Sequence, residues 1–175
     1  NNKIPDNILA VKNAQIDGVR SLVDGKLVMG KDIDPVMDLS EIPSPYLMGL
    51  FNDLLDNENL MPIIQNIRGC PYSCRFCVSG TQFGRIRHFS FERVTEEIEF
   101  LRSTAKNRFL RLSDDNFGVI DHDVQIAKYI RDSFERHNYP AGFKAYSAKR
   151  QSDRTRLVAL TLKPLMTYVI SFQTT

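Results

Sequence analysis

The three cysteines of this 175-residue chain lie together in one short segment. They are Cys70, Cys74 and Cys77, with three residues in the first gap and two in the second. Thiolates are soft ligands that hold iron-sulfur clusters or zinc. Three of them this close can reach one metal only if the chain loops around it, and Gly69 and Pro71 favour such a loop. The spacing therefore predicts a metal-binding loop.

The three cysteines supply one ligand fewer than a closed metal site requires. Structural zinc sites and ordinary electron-transfer clusters use four protein ligands, whereas three thiolates on a cubane 4Fe-4S cluster leave one iron open for a substrate. Phe76, directly before the last cysteine, would place an aromatic face beside the cluster, where a flat ligand could stack. An open iron next to a stacking surface suits a nucleoside-bearing ligand.

Three other interpretations of the cysteines stay open. Zinc needs a fourth ligand, and none of the three histidines, His88, His122 and His137, stands at a short ligand spacing from the cysteines. A disulfide framework needs paired cysteines, but the count is odd and no signal peptide is visible. Unliganded core cysteines are the third alternative, although chance seldom groups every cysteine of a chain in one loop.

Composition predicts a globular protein without a membrane span. Hydrophobic residues make up 42% of the chain and charged residues 25%, which is enough apolar material for a core. No apolar run approaches the roughly 18 residues needed to cross a bilayer, and no apolar targeting segment is visible. We therefore expect a cytoplasmic protein, in the reducing compartment that suits an open cluster.

The net charge of +2 hides an uneven distribution. Residues 1–60 carry 5 Lys and Arg against 10 Asp and Glu, which leaves 18 against 11, or a net +7, for residues 61–175. The basic excess is scattered rather than clustered. It could meet phosphate or carboxylate groups of a small-molecule substrate, but it does not indicate nucleic-acid binding.

The first part of the chain predicts short strands and then a linker. The strands are expected at residues 7–11, 19–23 and 26–29. Asp24 and Gly25 form a hairpin signal between the last two. Residues 32–45 are rich in Pro, Asp and Ser, which interrupts any helix. We expect residues 1–37 to be a β-rich segment and residues 38–60 to be a linker.

The rest of the chain, residues 61–175, alternates strands with helices. Strands are predicted at residues 61–68, 109–113, 143–147 and 167–172. Helices are predicted at residues 91–103, capped by Ser90, and at residues 121–137 and 155–162. This order predicts an α/β fold with a parallel sheet, whose ligands bind at the carboxyl ends of the strands. The cysteine loop and residues 114–118 should therefore share one rim.

The cysteine segment resembles the radical S-adenosylmethionine (SAM) superfamily. Its signature, C-x3-C-x-aromatic-C, is matched by Cys70, Cys74, Phe76 and Cys77. The resemblance implies a 4Fe-4S cluster on the three cysteines, whose open iron chelates the amino and carboxylate groups of SAM. An electron from the cluster then cleaves the sulfonium to give methionine and a 5′-deoxyadenosyl radical. It also implies a partial (β/α)6 barrel, and we expect this chain to be truncated after the first four strands.

Three features resemble the cobalamin-dependent class of that superfamily. A linker like residues 38–47 precedes the barrel, the cluster loop reads Arg-Gly-Cys-Pro-aromatic-x-Cys-x-Phe-Cys, and an Asp/Asn-Phe motif follows the second strand. Residues 1–37 resemble the tail of an upstream cobalamin-binding domain that is absent here. The class implies methyl transfer, rearrangement or ring closure on a small-molecule substrate, with an electron donor such as flavodoxin or ferredoxin.

The resemblance also implies weaker ligand contacts. Many members carry Gly-Gly-Glu after the second strand, against the amino group of SAM, where residues 114–118 of this chain read Asp-Asp-Asn-Phe-Gly. Asp115 and Asn116 could accept hydrogen bonds from that amino group, which is charged as an ammonium. Alternatively, they could form an Asx turn that caps the next helix. Gln173 is expected near the ribose, with a surface position as the alternative, and Phe76 is expected to line the adenosyl pocket.

Two further functions stay open. A methylthiotransferase would share the cysteine signature, and a non-enzymatic iron-sulfur or zinc module would use the same thiolates. No other catalytic motif stands out, because the chain has neither a P-loop nor a G-x-G-x-x-G sequence.

Overall fold

The structure, a computed structural model, describes residues 6–82, 85–150 and 152–169. The chain divides into two compact units, Asn1–Val36 and Met37–Thr175. Within the described residues, no helix combines the length and the apolar character needed to cross a membrane.

The first unit contains a helix and a hairpin. The helix is α1 (Asp6–Asn13), and the strands β1 (Arg20–Val23) and β2 (Lys26–Met29) pair antiparallel. Asp24 and Gly25 both have positive φ, at 47° and 74°. Two such residues make the type of tight turn whose twist matches a two-stranded hairpin. The predicted hairpin is confirmed.

The strand predicted at residues 7–11 is wrong, because α1 occupies that segment. A short apolar run fits a strand and a helix equally well. Lys12 lies in the last turn of α1, where a cation stabilises the helix dipole.

The second unit alternates strands and helices. Its strands are β3 (Ile63–Ile64), β4 (Ile67–Arg68), β5 (Arg87–His88), β6 (Phe109–Leu112), β7 (Gly142–Tyr146) and β8 (Met166–Val169). Its helices are α2 (Asn52–Leu55), α3 (Ser79–Gln82), α4 (Phe91–Thr104), α5 (Asp121–His137) and α6 (Asp153–Leu162). The order β3-β6-β7-β8 forms a parallel sheet, whereas β4 and β5 pair antiparallel. The predicted α/β class with a parallel sheet is confirmed.

Serine side chains fix the starts of two helices. The Ser90 hydroxyl accepts from the backbone N–H of Arg93 at 3.1 Å, which confirms the predicted cap of α4. Ser152 accepts in the same way from Thr155 at 3.2 Å. Because of this cap, α6 begins two residues earlier than the predicted start at residue 155.

One face of the parallel sheet packs against the helices. Leu110 and Leu112 of β6 and Phe143 and Ala145 of β7 are buried there. The same core includes helix residues Val94, Ile98, Leu101, Ile126, Ala127, Ile130, Val158 and Leu162. Burial of each large aliphatic side chain contributes about 1.5–3 kcal/mol. Since side chains alternate along a strand, the residues between these four face the other side of the sheet.

The prediction of a single strand at residues 61–68 is wrong in one respect, because two separate strands, β3 and β4, occupy this segment. The Asp114 carboxylate accepts from the backbone N–H groups of Asn66 and Ile67, at 2.8 and 3.1 Å. These two donors are therefore unavailable to a strand ladder. The chain leaves the parallel sheet at this point, and β4 pairs with β5 instead.

The segment predicted as a linker, residues 38–60, contributes to the core of the second unit. Leu39, Tyr46 and Leu55 are all buried. The Tyr46 hydroxyl donates to the carbonyl oxygen of Ile63 at 2.9 Å. A 3-10 helix, Leu39–Glu41, and α2 give the segment regular structure.

Candidate functional site

The cysteine loop, residues 69–78, directly follows β4. Cys70 is buried, Cys74 and Cys77 are half-buried, and no disulfide joins them. The backbone N–H of Cys77 donates to the carbonyl oxygen of Cys74 at 3.1 Å, which closes a tight turn. The loop therefore presents its last two cysteines at the surface and its first in the interior.

The loop folds back onto the helix that follows it. A side-chain carbon added at Gly80, in α3, would overlap the backbone carbonyl of Tyr72. Only glycine permits so close an approach of two backbone segments. The loop and α3 therefore form one packed turn around the cysteines.

Polar groups of distant segments donate to two of the thiols. The side-chain amide of Asn116 donates to Cys70 Sγ at 3.0 Å, and both residues are buried. Lys149 Nζ lies 3.8 Å from Cys74 Sγ. Hydrogen-bond donors and cations favour the thiolate, which is the form that binds metals. The two expected rim loops thus meet at Cys70, and the loop after β7 joins them at Cys74.

The thiol of Cys77 is shifted towards the thiolate. The backbone N–H of Ser79 and then its hydroxyl lower the pKa of Cys77, with a smaller contribution from the charge of Lys149. Each cysteine of the loop therefore has a polar group of another residue beside it.

This arrangement predicts a change in thiol reactivity. In metal-free protein, Ser79→Ala removes the hydroxyl donor and keeps the backbone donor, so alkylation of Cys77 by iodoacetamide at neutral pH should slow several-fold. The rate is measured by mass spectrometry of the modified loop peptide. Ser73→Ala, at an exposed position in the same loop, is the control and should leave the rate unchanged. Equal rates in the two variants would contradict the assignment.

A buried polar network lies between β3, β4 and the start of α5. The amide of Asn66 donates to Asp123 Oδ1 at 2.7 Å. Asp123 Oδ2 accepts from three successive backbone N–H groups, of Gly118, Val119 and Ile120, at 2.8 to 3.1 Å. Burial raises the pKa of Asp123. The network fixes the loop that carries Asn116 and so positions that amide at Cys70.

Asp114 is the second buried carboxyl group at this place. Burial raises its pKa to about 8, against the effect of the two backbone N–H donors that it accepts from. The neighbouring carboxyl of Asp123 raises the pKa further. No role was predicted for Asp114, although the sequence carries a signal for it, which is an acidic residue directly after the apolar strand predicted at residues 109–113.

The predicted site residues differ widely in exposure. Asn116 is fully buried against Cys70, whereas Asp115 is exposed. Phe76 is 78% exposed, so its ring projects from the loop. Gln173 lies outside the described residues. The structure therefore brings Asn116 to a cysteine.

Among the residues that the structure describes, no group of three or more His, Cys, Asp or Glu side chains is arranged to hold a metal ion. His88 and His122 stack on each other, with ring centroids 4.5 Å apart. The chemistry of the donor set fits an iron-sulfur cluster, because three thiols, which are soft ligands, lie in one loop.

A cleft of about 600 Å³ opens beside the cysteine loop. Tyr72 and Cys74 form one wall, and Lys149, Arg150 and the start of α6 form the other. The cations of Lys149 and Arg150 each lie 5.9 Å from the centre of the Tyr72 ring. No acidic residue is among those described as lining the cleft. Its size suits a small molecule, and its charge suits one with an anionic group.

Comparison with known proteins gives three relevant relatives. The 2-(S-pantetheinyl)-carbapenam-3-carboxylate methyltransferase of Streptantibioticus cattleyicolor is 29% identical over 171 residues, which cover 92% of this chain and 25% of that protein. The cobalamin-dependent radical SAM methyltransferase TokK of Streptomyces tokunonensis is 29% identical over 170 residues, 91% of this chain and 25% of TokK. An uncharacterized methyltransferase of Pyrococcus horikoshii is 29% identical over 120 residues, 56% of this chain and 26% of that protein.

No family model matches the chain. The chain spans about a quarter of the length of these curated relatives. All three are named methyltransferases, and one is named cobalamin-dependent and radical SAM, which supports an enzyme of that broad kind.

Proposed function

We propose that this protein is a radical SAM enzyme of the cobalamin-dependent methyltransferase class. The observation that carries the proposal is the cysteine loop, in which Cys70 contacts Asn116, Cys74 lies near Lys149, and the hydrogen bonds of Ser79 lower the pKa of Cys77. The names of the relatives support the same class. A zinc or electron-transfer module would need a fourth ligand.

The three cysteines would hold a 4Fe-4S cluster. When bound, such a cluster supplies the electron for reductive cleavage of SAM. The chain positions the thiols through two long-range contacts, since Asn116 holds Cys70 and Lys149 stands at Cys74. Phe76, exposed on the same loop, offers an aromatic face to whatever ligand occupies the neighbouring cleft.

The cleft beside the loop would bind SAM. Lys149 and Arg150 supply cations for its carboxylate, and Tyr72 keeps both side chains against the cysteine loop. The Tyr72 hydroxyl accepts from the backbone N–H of Arg150 at 3.4 Å, which ties this wall of the cleft to the other. Asp115 is exposed near the loop and could accept from the amino group.

The parallel sheet would be the first part of a (β/α)6 barrel, with cobalamin held by a different domain. The order β3-β6-β7-β8 places successive strands side by side, as a barrel requires. The reaction would be methyl transfer to a small-molecule substrate, because the relatives are named for that activity. A flavodoxin or ferredoxin would supply the electrons.

The test is electron paramagnetic resonance of the intact protein, reconstituted anaerobically with iron and sulfide and then reduced. We expect a 4Fe-4S signal that shifts when SAM is added, because the ligand changes the environment of the open iron. Adenosine alone, which lacks the chelating amino and carboxylate groups, is the control and should not reproduce the shift. A signal that ignores SAM would indicate an electron-transfer module, and stoichiometric zinc without a cluster would exclude the radical mechanism.

A further inference from the structure

Cys74 and Cys77 form a C-x-x-C pair within the cysteine loop. The hydrogen bond from the backbone N–H of Cys77 to the carbonyl oxygen of Cys74, at 3.1 Å, closes a turn over Arg75 and Phe76. A turn of this kind brings the Cα atoms of its end residues within about 7 Å of each other. Disulfides join cysteines whose Cα atoms are about 4.4–6.8 Å apart. The backbone separation therefore suits a bond between these two sulfur atoms.

Cys70 is kept apart from this pair by its burial. Only 2% of Cys70 is exposed, and its Sγ atom accepts from the side-chain amide of Asn116 at 3.0 Å. Cys74 and Cys77 are half-buried, and the two residues between them are exposed. An oxidant in solution can reach an accessible thiol but not a buried one. Oxidation should therefore join Cys74 to Cys77 and leave Cys70 as a thiol.

Cys74 also forms part of the wall of the cleft beside the loop. The cleft has a volume of about 600 Å³, and Lys149 and Arg150 lie on its opposite wall. Its described lining residues include these cations but neither an acidic residue nor Cys77. A small disulfide compound that carries carboxylates fits both the volume and the charge. Such a compound would meet the sulfur of Cys74 first.

We propose that, when the loop holds no cluster, an anionic small-molecule disulfide converts Cys74 and Cys77 into a reversible intramolecular disulfide. The sulfur of Cys74 attacks the S–S bond of the small molecule and displaces one half of it as a thiol. The sulfur of Cys77 then attacks the Cys74 sulfur of the mixed disulfide and displaces the other half. Two protein thiols are oxidised, and the small molecule is reduced to two thiols, which carry the two protons.

This bond would both protect the loop and control the entry of metal. Accessible thiols that react with peroxide can proceed to sulfinic and sulfonic acids, which are not reduced again by thiols, whereas a disulfide is. Cysteine binds metals as the thiolate, so neither sulfur of the bond is available as a ligand. Iron should therefore bind only after reduction of the bond. The inference rests on the proposed function only in taking the metal of the loop to be an iron-sulfur cluster.

The test uses the intact chain, freed of metal with a chelator, reduced and then incubated with oxidised glutathione. Acid stops the reaction, the protein is unfolded, and N-ethylmaleimide labels the remaining thiols. Peptide mass spectrometry should find a bond between Cys74 and Cys77 and a label on Cys70. Cys77→Ala should trap glutathione on Cys74, because the second thiol is missing. Cys70→Ser keeps an acceptor for Asn116 and should form the same bond as the parent protein.

A second measurement tests entry through the cleft. Arg150→Gln removes a cation of the cleft wall and should slow the reaction with oxidised glutathione about threefold or more. It should leave the rate with 2-hydroxyethyl disulfide, which is uncharged, as in the parent. Arg156→Gln removes an exposed cation that does not line the cleft, and it should change neither rate. Circular dichroism of every variant checks that the fold is retained.

The consequence for metal binding is measured on the oxidised chain. It should bind little iron or sulfide during anaerobic reconstitution, and prior treatment with dithiothreitol should restore binding to the level of chain that was never oxidised. Four results would overturn the proposal: a bond that includes Cys70, labels on all three cysteines, glutathione on Cys74 and Cys77 with no bond between them, or an equal rate for Arg150→Gln and the parent. Because the disulfide is detected without iron or SAM, its failure is distinct from a failure of the cluster experiment.

Discussion

Cys74→Ala is expected to abolish assembly of the iron-sulfur cluster. Reconstituted parent protein should bind about four iron and four sulfide per chain, and the variant less than about one of each, because a cubane cannot stay attached through two thiolates when one iron already lacks a protein ligand. The measurement is colorimetric iron and sulfide analysis, with the visible absorption of the cluster as a second readout.

Cys77→Ala should have the same effect, since it also removes one of the three thiols that would hold the cluster. Ser73→Ala, at an exposed position between the first two cysteines, is the control and should bind as much iron and sulfide as the parent protein. The unfolding curve of metal-free Cys74→Ala should match that of the parent. Normal iron content in Cys74→Ala or Cys77→Ala would contradict the ligand assignment.

Asp114→Ala is expected to destabilise the protein strongly. Asp114 is buried, and one oxygen of its carboxyl group, Oδ1, accepts from the backbone N–H groups of Asn66 and Ile67. Alanine leaves both buried donors unpaired and opens a small cavity, so the free energy of unfolding should fall by about 3 kcal/mol. Urea unfolding followed by circular dichroism measures this change. Asp114→Asn keeps an acceptor oxygen, so its free energy of unfolding should fall much less.

The same residue predicts how stability depends on pH. The pKa of Asp114 is about 8 in the folded protein, against 3.8 for an ordinary aspartate, so the folded state binds its proton more tightly. The free energy of unfolding should therefore fall as pH rises from about 4 to about 8, and then level off. The raised pKa of Asp123 acts in the same direction.

Asp114→Asn should flatten this dependence, and Asp115→Asn, at the exposed neighbouring position, should leave it as it is. Urea midpoints measured at several pH values across the range supply the comparison. A parent protein whose stability is constant from pH 4 to pH 8 would show that Asp114 ionises normally.

Local signals in the sequence predicted local structure well. The Asp24-Gly25 turn and the Ser90 cap each depend on side chains within a few residues, and both are confirmed. The strand at residues 7–11 failed because a short apolar run has no unique period. Whether this segment forms a strand or a helix depends on the elements that pack beside it in the folded protein. The pattern of apolar residues along the chain does not identify those elements.

The parts of the site that sequence analysis missed depend on distant partners. Asn66 interrupts an apolar run, which was a visible signal, but its partners Asp114 and Asp123 lie 48 and 57 residues further along the chain. Asp123 belonged to the acidic first turn of a helix, where a solvated carboxylate is the usual expectation. Its burial follows from packing that only the folded chain reveals.

The pairing of β4 with β5 bears on how the protein would survive the loss of the proposed cluster. Ile67 and Arg68 pair with His88 and Arg87, so both ends of the cysteine segment are held by backbone hydrogen bonds that involve no metal. In a zinc finger the metal itself closes the loop, and its loss unfolds the domain. Here the folding of the chain already brings the two ends of the cysteine segment together, so the metal does not have to offset the entropic cost of closing the loop. Oxidative loss of iron should therefore leave the cysteine loop folded, so that iron could be inserted again without a chaperone.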